Sequence, residues 1–184
     1  MIELQPSSFS NGTYLNCYAH WLWGSNDDSF DYGGRVNGFI PFESSEQFTP
    51  AVARLVADGA EVARKLRSEF SSIEAVATIL ASREEDLNSK GRGGGWPAFN
   101  AAVANALAEK RQTACEMFAL AEATPGDVAW AQSLRDTSAE FGRLLQSERG
   151  QLRSHLLLLI AQARLRLNLP VLDCLLPGST KNPA

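Results

Sequence analysis

Two histidines, three cysteines and a scatter of carboxylates are the side chains whose spacing is weighed for a nucleophile, base or metal ligand. Cys17 and His20 lie close enough in sequence to suggest a thiol and its base. On a strand, residues an odd number apart point to opposite faces, and that separates the pair. His155 falls beside an apolar seam and reads as a packed, hydrogen-bonded histidine. Glu84 and Glu148 occupy seam positions of their helices, where two facing carboxylates could hold a metal. Di-metal bundles, however, add Glu-x-x-His pairs, and none is present, so both read as polar register-setters or partners of arginines.

Asp27, Asp28 and Asp31 offer oxygen ligands without the spacing of a calcium loop and read as a solvated turn. The run 91–95, Gly-Arg-Gly-Gly-Gly, has free backbone N–H groups that could cradle a phosphate. It lacks the Lys-Ser/Thr of a phosphate loop and follows a helix, which makes it a connector. Cys17, Cys115 and Cys174 are far apart and show no CxxC spacing, so reduced thiols are expected and neither a disulfide nor a zinc site. No catalytic residue, cofactor or metal is therefore expected. The better candidate for recognition is the aromatic patch Tyr18, His20, Trp21 and Trp23, because Tyr and Trp concentrate at interface hot spots. Core packing competes for the same rings.

The elements that would position these residues differ between the two ends of the chain. Residues 1–46 carry most of the aromatics and turn formers and show no helical period. From Thr13 to Trp23 the two parities separate into an apolar and an amphipathic face, the alternation of a strand. A returning strand is expected over 35–42, bounded by Gly33-Gly34 and Pro41, with a third edge strand over 1–5. A hairpin alone is marginal in water, so this module should pack on the helices.

Helical spacing takes over near Phe48. Thr49-Pro50 and Thr124-Pro125 both read as helix starts, and Pro97 opens a third helix carrying Phe99, Val103, Ala106, Ala114, Met117 and Ala121 on one face. From Leu134 to Leu152 apolar positions alternate four-three spacings, the seam of a coiled-coil-like contact, and from His155 to Ile160 apolar residues surround most of the helix. Residues 124–168 thus read as one helix of roughly 65 Å, which the helix over 97–122, about 40 Å long, cannot cover. Residues 50–88 permit one helix, or two broken at the capping-box sequence beginning at Ser71. The break is favoured, because it brings the aromatic module beside the leucine block, and Leu152 to Ala163 becomes the most deeply buried segment.

The fold expected is mainly α: a bundle of three to four long helices with a small N-terminal aromatic β-hairpin or meander packed on it, α+β at the margin. Its divisions are a β module over 1–46, a helical bundle over 47–176 and a disordered polar tail over 177–184. A formal charge of −4 argues against a nucleic-acid binder. Arg153 and Arg164 interrupt the apolar run well short of the roughly 20 residues of a membrane span, and no leader pattern opens the chain, so a cytoplasmic protein is expected. Missing catalytic groups suit a non-enzymatic protein–protein interaction module, such as an adaptor, inhibitor or immunity-like binder, with a protein partner; a homodimer that buries the leucine block against a second copy is the competing answer to its cover by the aromatic module. The alternative is a small-ligand-binding protein or enzyme using a crevice between the β module and the Leu-rich helix end, lined by Trp21, Trp23 and His155.

Overall fold

A computed structural model describes residues 2–7, 10–24, 31–147 and 150–170. The expected tail over 177–184 lies outside these residues, as do Asp27, Asp28, Glu148 and Cys174. The chain is mainly helical, with six helices and a small antiparallel sheet at its N-terminal end among the described residues. It divides into two compact units, Met1–Trp21 with Asn26–Ser71, and Leu22–Ser25 with Ser72–Ala184.

In the first unit, β1 (Ile2–Pro6) pairs antiparallel with β2 (Gly12–Ala19) in the register Leu4 to Leu15. On the other edge of β2 lie β3 (Tyr32–Arg35) and the two-residue β4 (Ile40–Pro41), both antiparallel to it. The expected edge strand is therefore present, but the expected return over 35–42 is displaced: it pairs from Tyr32, and Gly33-Gly34 lie inside it. Gly33 has φ +139, and a Cβ there would run into the carbonyl of Cys17, so close backbone approach, and not a turn, is what this glycine serves.

Helix α1 (Ser45–Glu69) packs on β2, with Leu15, Cys17 and Leu55 each nearly inaccessible to solvent and the Cys17 thiol 3.9 Å from the Gly59 carbonyl. Its start is Ser44, whose Oγ accepts the Gln47 N–H, so Pro50 lies inside the helix and does not open it. The break after Phe70 is present. Ser72, one residue beyond the expected capping residue, takes the Ala75 N–H and opens α2 (Ile73–Ser89).

The second unit continues with α3 (Gly95–Leu107), α4 (Arg111–Glu122), α5 (Ala129–Gln146) and α6 (Gln151–Arg166). The two long helices expected here are each subdivided. Between α3 and α4, Glu109 adopts a left-handed φ of 59, and the N–H groups of Glu109 and Lys110 return to the carbonyls of Ala106 and Asn105. That pair of bonds is a Schellman end, normally built on glycine, so no residue type announces it. Between α5 and α6, Gly150 sits at φ 98 and interrupts a seam whose spacing runs on from Leu145 to Leu152.

The deepest segment is not the leucine block. Every residue from Ala98 to Asn105 is buried, because α3 touches α2, α4, α5 and α6. Its core ring Phe99 packs against Phe118 and Phe141, at 6.0 and 5.5 Å between centroids. In α6 only Leu152, Leu156 and Ala163 are buried, while Leu158 is 56% and Leu165 67% exposed. Alanines let neighbouring helices approach closely all round; leucines need room and fill one side. Ala102→Leu should accordingly cost about 1–3 kcal/mol by overpacking, and Leu156→Ala about 2–5 kcal/mol by leaving a cavity. Leu158→Ser should shift stability by less than about 0.5 kcal/mol. Urea unfolding of the three variants checks the order, and a Leu158→Ser as damaging as Ala102→Leu would contradict it.

Candidate interaction surface

The four aromatic-patch residues fall in different places. Tyr18 lies on β2 opposite Gly33. Its hydroxyl is held above the ordinary tyrosine range by burial and by the nearby Glu3 carboxylate, with Arg35 opposing. His20 places Nδ1 2.9 Å from Asp31 Oδ2, and the same oxygen accepts the Trp21 backbone N–H at 2.8 Å. Asp31 thus organises the end of β2. Trp21 is buried and meets Phe70 edge-on at 5.2 Å, and Phe70 takes Tyr32 the same way at 5.0 Å. The rings of Trp21, Tyr32 and Phe70 therefore close the end of α1. Cys17 and His20 point to separate partners, Gly59 and Asp31.

Trp23 belongs to the second unit. Its Nε1 donates to Asn100 Oδ1 at 3.0 Å, which fixes the indole on α3. It borders a cavity of about 370 Å³ with Phe99, Phe141, His155 and Leu159, and Glu140 and Arg166 also line it. His155 meets the Phe141 ring edge-on at 5.4 Å. Of the expected crevice residues, Trp23 and His155 share this cavity, whereas Trp21 lies in the first unit.

The glycine run is occupied from within the chain. Glu84, 1% exposed, accepts the Gly94 N–H on Oε1 at 2.5 Å, and Thr124 Oγ1 accepts the Gly95 N–H at 3.0 Å. A Cβ at Gly93 would press on Asn88 and the Glu84 carboxylate. The N–H groups of Gly94 and Gly95 are therefore spent on the protein's own oxygens, and Thr124, expected to cap the last helix, donates its hydroxyl to the Ala121 carbonyl. Burial holds the Glu84 carboxyl above its ordinary 4.5, with the Gly94 N–H pulling the other way, and Oε2 finds no hydrogen-bond partner among the described residues.

A carboxyl whose folded-state pKa is raised binds its proton more tightly in the folded chain. Its favourable contribution is complete below pH 4.5 and is lost as pH rises through the folded value. Glu84→Gln, neutral at every pH, should match the wild type below pH 4.5 and gain on it as pH rises toward neutrality. Urea midpoints at three pH values test this, and a difference that does not change with pH would refute it.

What the sequence reading overlooked is the outward face of α6. Leu158, Ala161 and Leu165 follow i, i+3, i+7 spacing on the side opposite the buried Leu152, Leu156 and Ala163, and Leu169, 38% exposed, follows just past the helix end. Arg153, Arg164 and Arg166 flank them, and no Asp or Glu occurs in the helix. Arg164 donates from Nε to the Pro170 carbonyl at 2.8 Å, and the N–H groups of Asn168 and Leu169 return to Leu165 and Arg164, fixing the basic end. The missed signal is that absence of acid in a chain whose net charge is −4.

No helix among the described residues is long and apolar enough to cross a membrane. The sequence matches no family model, no curated protein and no solved structure.

Proposed function

We propose that this chain is a non-enzymatic protein-interaction module and that its partner docks on the outward face of α6. One observation carries this reading: a helix inside an acidic chain that is basic and at the same time apolar toward solvent. Leucines left about half exposed at i, i+7 on a surface helix gain part of the about 1.5–3 kcal/mol of full burial when a partner covers them. The flanking arginines select what that partner is. A second α6 would bring arginine against arginine, whereas a helix with an apolar stripe bordered by Glu or Asp would pair charge with charge. The occupant is therefore an acidic amphipathic helix, recognised through anchors at helical spacing.

A fluorescent peptide of Leu and Glu in heptad pattern, titrated with the intact protein and followed by anisotropy, tests the reading. Binding should be micromolar and weaken with salt. Leu158→Glu combined with Leu165→Glu should lower affinity by at least about tenfold, equivalent to 1.4 kcal/mol. Equal binding by that variant, or by a Leu–Lys peptide of the same pattern, would remove the support. Sedimentation that finds a dimer dissociated by Leu158→Glu would assign the face to self-association instead.

A further inference from the structure

Strand β1 is an outer edge of the sheet in the first unit, and its register fixes which of its backbone groups point away from β2. Ser7 donates its N–H to the Gly12 carbonyl at 3.1 Å, and the Leu15 carbonyl accepts the Val36 N–H at 2.8 Å on the β3 side. Antiparallel pairs alternate between bonded and non-bonded, so Glu3 and Gln5 bond toward β2 while Ile2, Leu4 and Pro6 turn their backbone groups outward. Leu4 stands opposite Leu15 and therefore on the α1 side of the sheet, but α1 packs on β2 and leaves Leu4 46% exposed.

The flank of α1 beside this edge is apolar. Asp58 accepts from Asn37 Nδ2 at 2.8 Å, which places it toward β3, and Arg54 and Glu61 share that flank at helical spacing. Val56 and Ala60, each two residues from Asp58, lie about 200° around the helix from it and so face the β1 side, with Val52 and Ala63 in line. Val56 is 56% exposed.

We infer that the chain forms a two-fold dimer in which β1 pairs antiparallel with β1 of a second copy, centred on Leu4. In that register the two Leu4 residues exchange N–H···O bonds and each Ile2 N–H meets a Pro6 carbonyl. Proline's missing N–H leaves only the Ile2 carbonyls without a donor. On the open face Glu3 meets Gln5 of the other copy, a carboxylate against an amide whose Oε1 is already held by Asn16 Nδ2 at 3.0 Å. The dyad is perpendicular to the sheet, so both α1 helices lie on one face. Strands about 4.8 Å apart put helices above β2 and its copy about 14 Å apart. Bare helix contact needs about 8–10 Å, and the paired Leu4 side chains with the Val56 flanks fill the difference. An unrelated extended peptide would satisfy the same backbone groups without supplying Leu4, the helix flank or the Glu3–Gln5 match; a second copy supplies all three.

Sedimentation of the full chain over a range of concentrations tests the inference, and a reversible dimer is expected. Leu4→Pro removes the central N–H without touching a bond to β2, and Val56→Glu charges the flank; each should raise the dimer Kd at least about tenfold. Should Leu4→Pro fail to fold by circular dichroism, Val56→Glu, at an exposed helical position, carries the test. Leu4→Cys should form a disulfide-linked dimer under mild oxidation well beyond the wild-type background, since bonded antiparallel partners stand about 5.5 Å apart at Cα. Leu158→Glu with Leu165→Glu, in the second unit, should leave this dimer unchanged, which separates it from the docking face on α6. A chain that stays monomeric up to about 1 mM, a dimer unmoved by both Leu4→Pro and Val56→Glu, or one lost with the α6 variant would each overturn the inference.

Discussion

The arrangement of the second unit depends on how closely helices can approach α3. Ala98, Ala101, Ala102 and Ala104 are fully enclosed, and a helix bounded by methyl groups brings neighbouring backbones nearer than one bounded by leucines. That closeness lets α2, α4, α5 and α6 all touch one thirteen-residue helix. It also leaves little room at the start of α3, where the chain enters through glycine. Gly94 at φ 90 and Gly95 at φ 63 are conformations that side chains resist, and they aim two N–H groups at Glu84 and Thr124. The buried carboxylate follows from that geometry: an enclosed helix start needs an acceptor, and the nearest helix supplies it from one turn before its own end.

Central packing on alanine has a counterpart at the periphery. Once α3 holds the centre, the longer side chains of α6 have one side to fill, and Leu152, Leu156 and Ala163 fill it. Of the other leucines, Leu158 and Leu165 face outward and Leu159 edges the cavity beside Trp23, while Leu152 and Leu156 also border a second cavity. Helix α6 therefore touches core, cavities and solvent at once. A helix apolar around most of its circumference reads as one buried on several sides, and that expectation fails because sequence pattern reports which residues are apolar and not how many neighbours stand ready to cover them.

Local chemistry was legible where it depends on a residue type with one conformational use. Ser72 marks the break between α1 and α2, Gly91 ends α2 at φ 67, and the alternation from Thr13 onward marks β2. It was illegible where an ordinary residue does a special residue's work. Glu109 closes α3 in the left-handed region with the same two bonds that Gly91 and Asn168 make at their helix ends, and nothing in Ala-Glu-Lys signals it. Pro50 misled in the other direction, since Ser44 with Gln47 provides a stronger start five residues earlier and the helix accepts the lost N–H.

The same distinction governs the candidate sites. The aromatic residues near the end of β2 were singled out for their type, and type does not separate a ring that anchors a partner from one that closes its own unit. Trp21 serves Phe70, His20 serves Asp31, and Trp23 is held by Asn100. Charge adds a second criterion, because arginines beside exposed leucines carry a sign that a partner would have to match. In α6 the buried residues are Leu152, Leu156 and Ala163, and Arg153, Arg164 and Arg166 flank the exposed leucines. On the proposed reading, α6, which among the described residues carries arginines and no acid under exposed leucines, would set sign and shape for a partner together, and electrostatic attraction would orient the encounter before any apolar surface is buried.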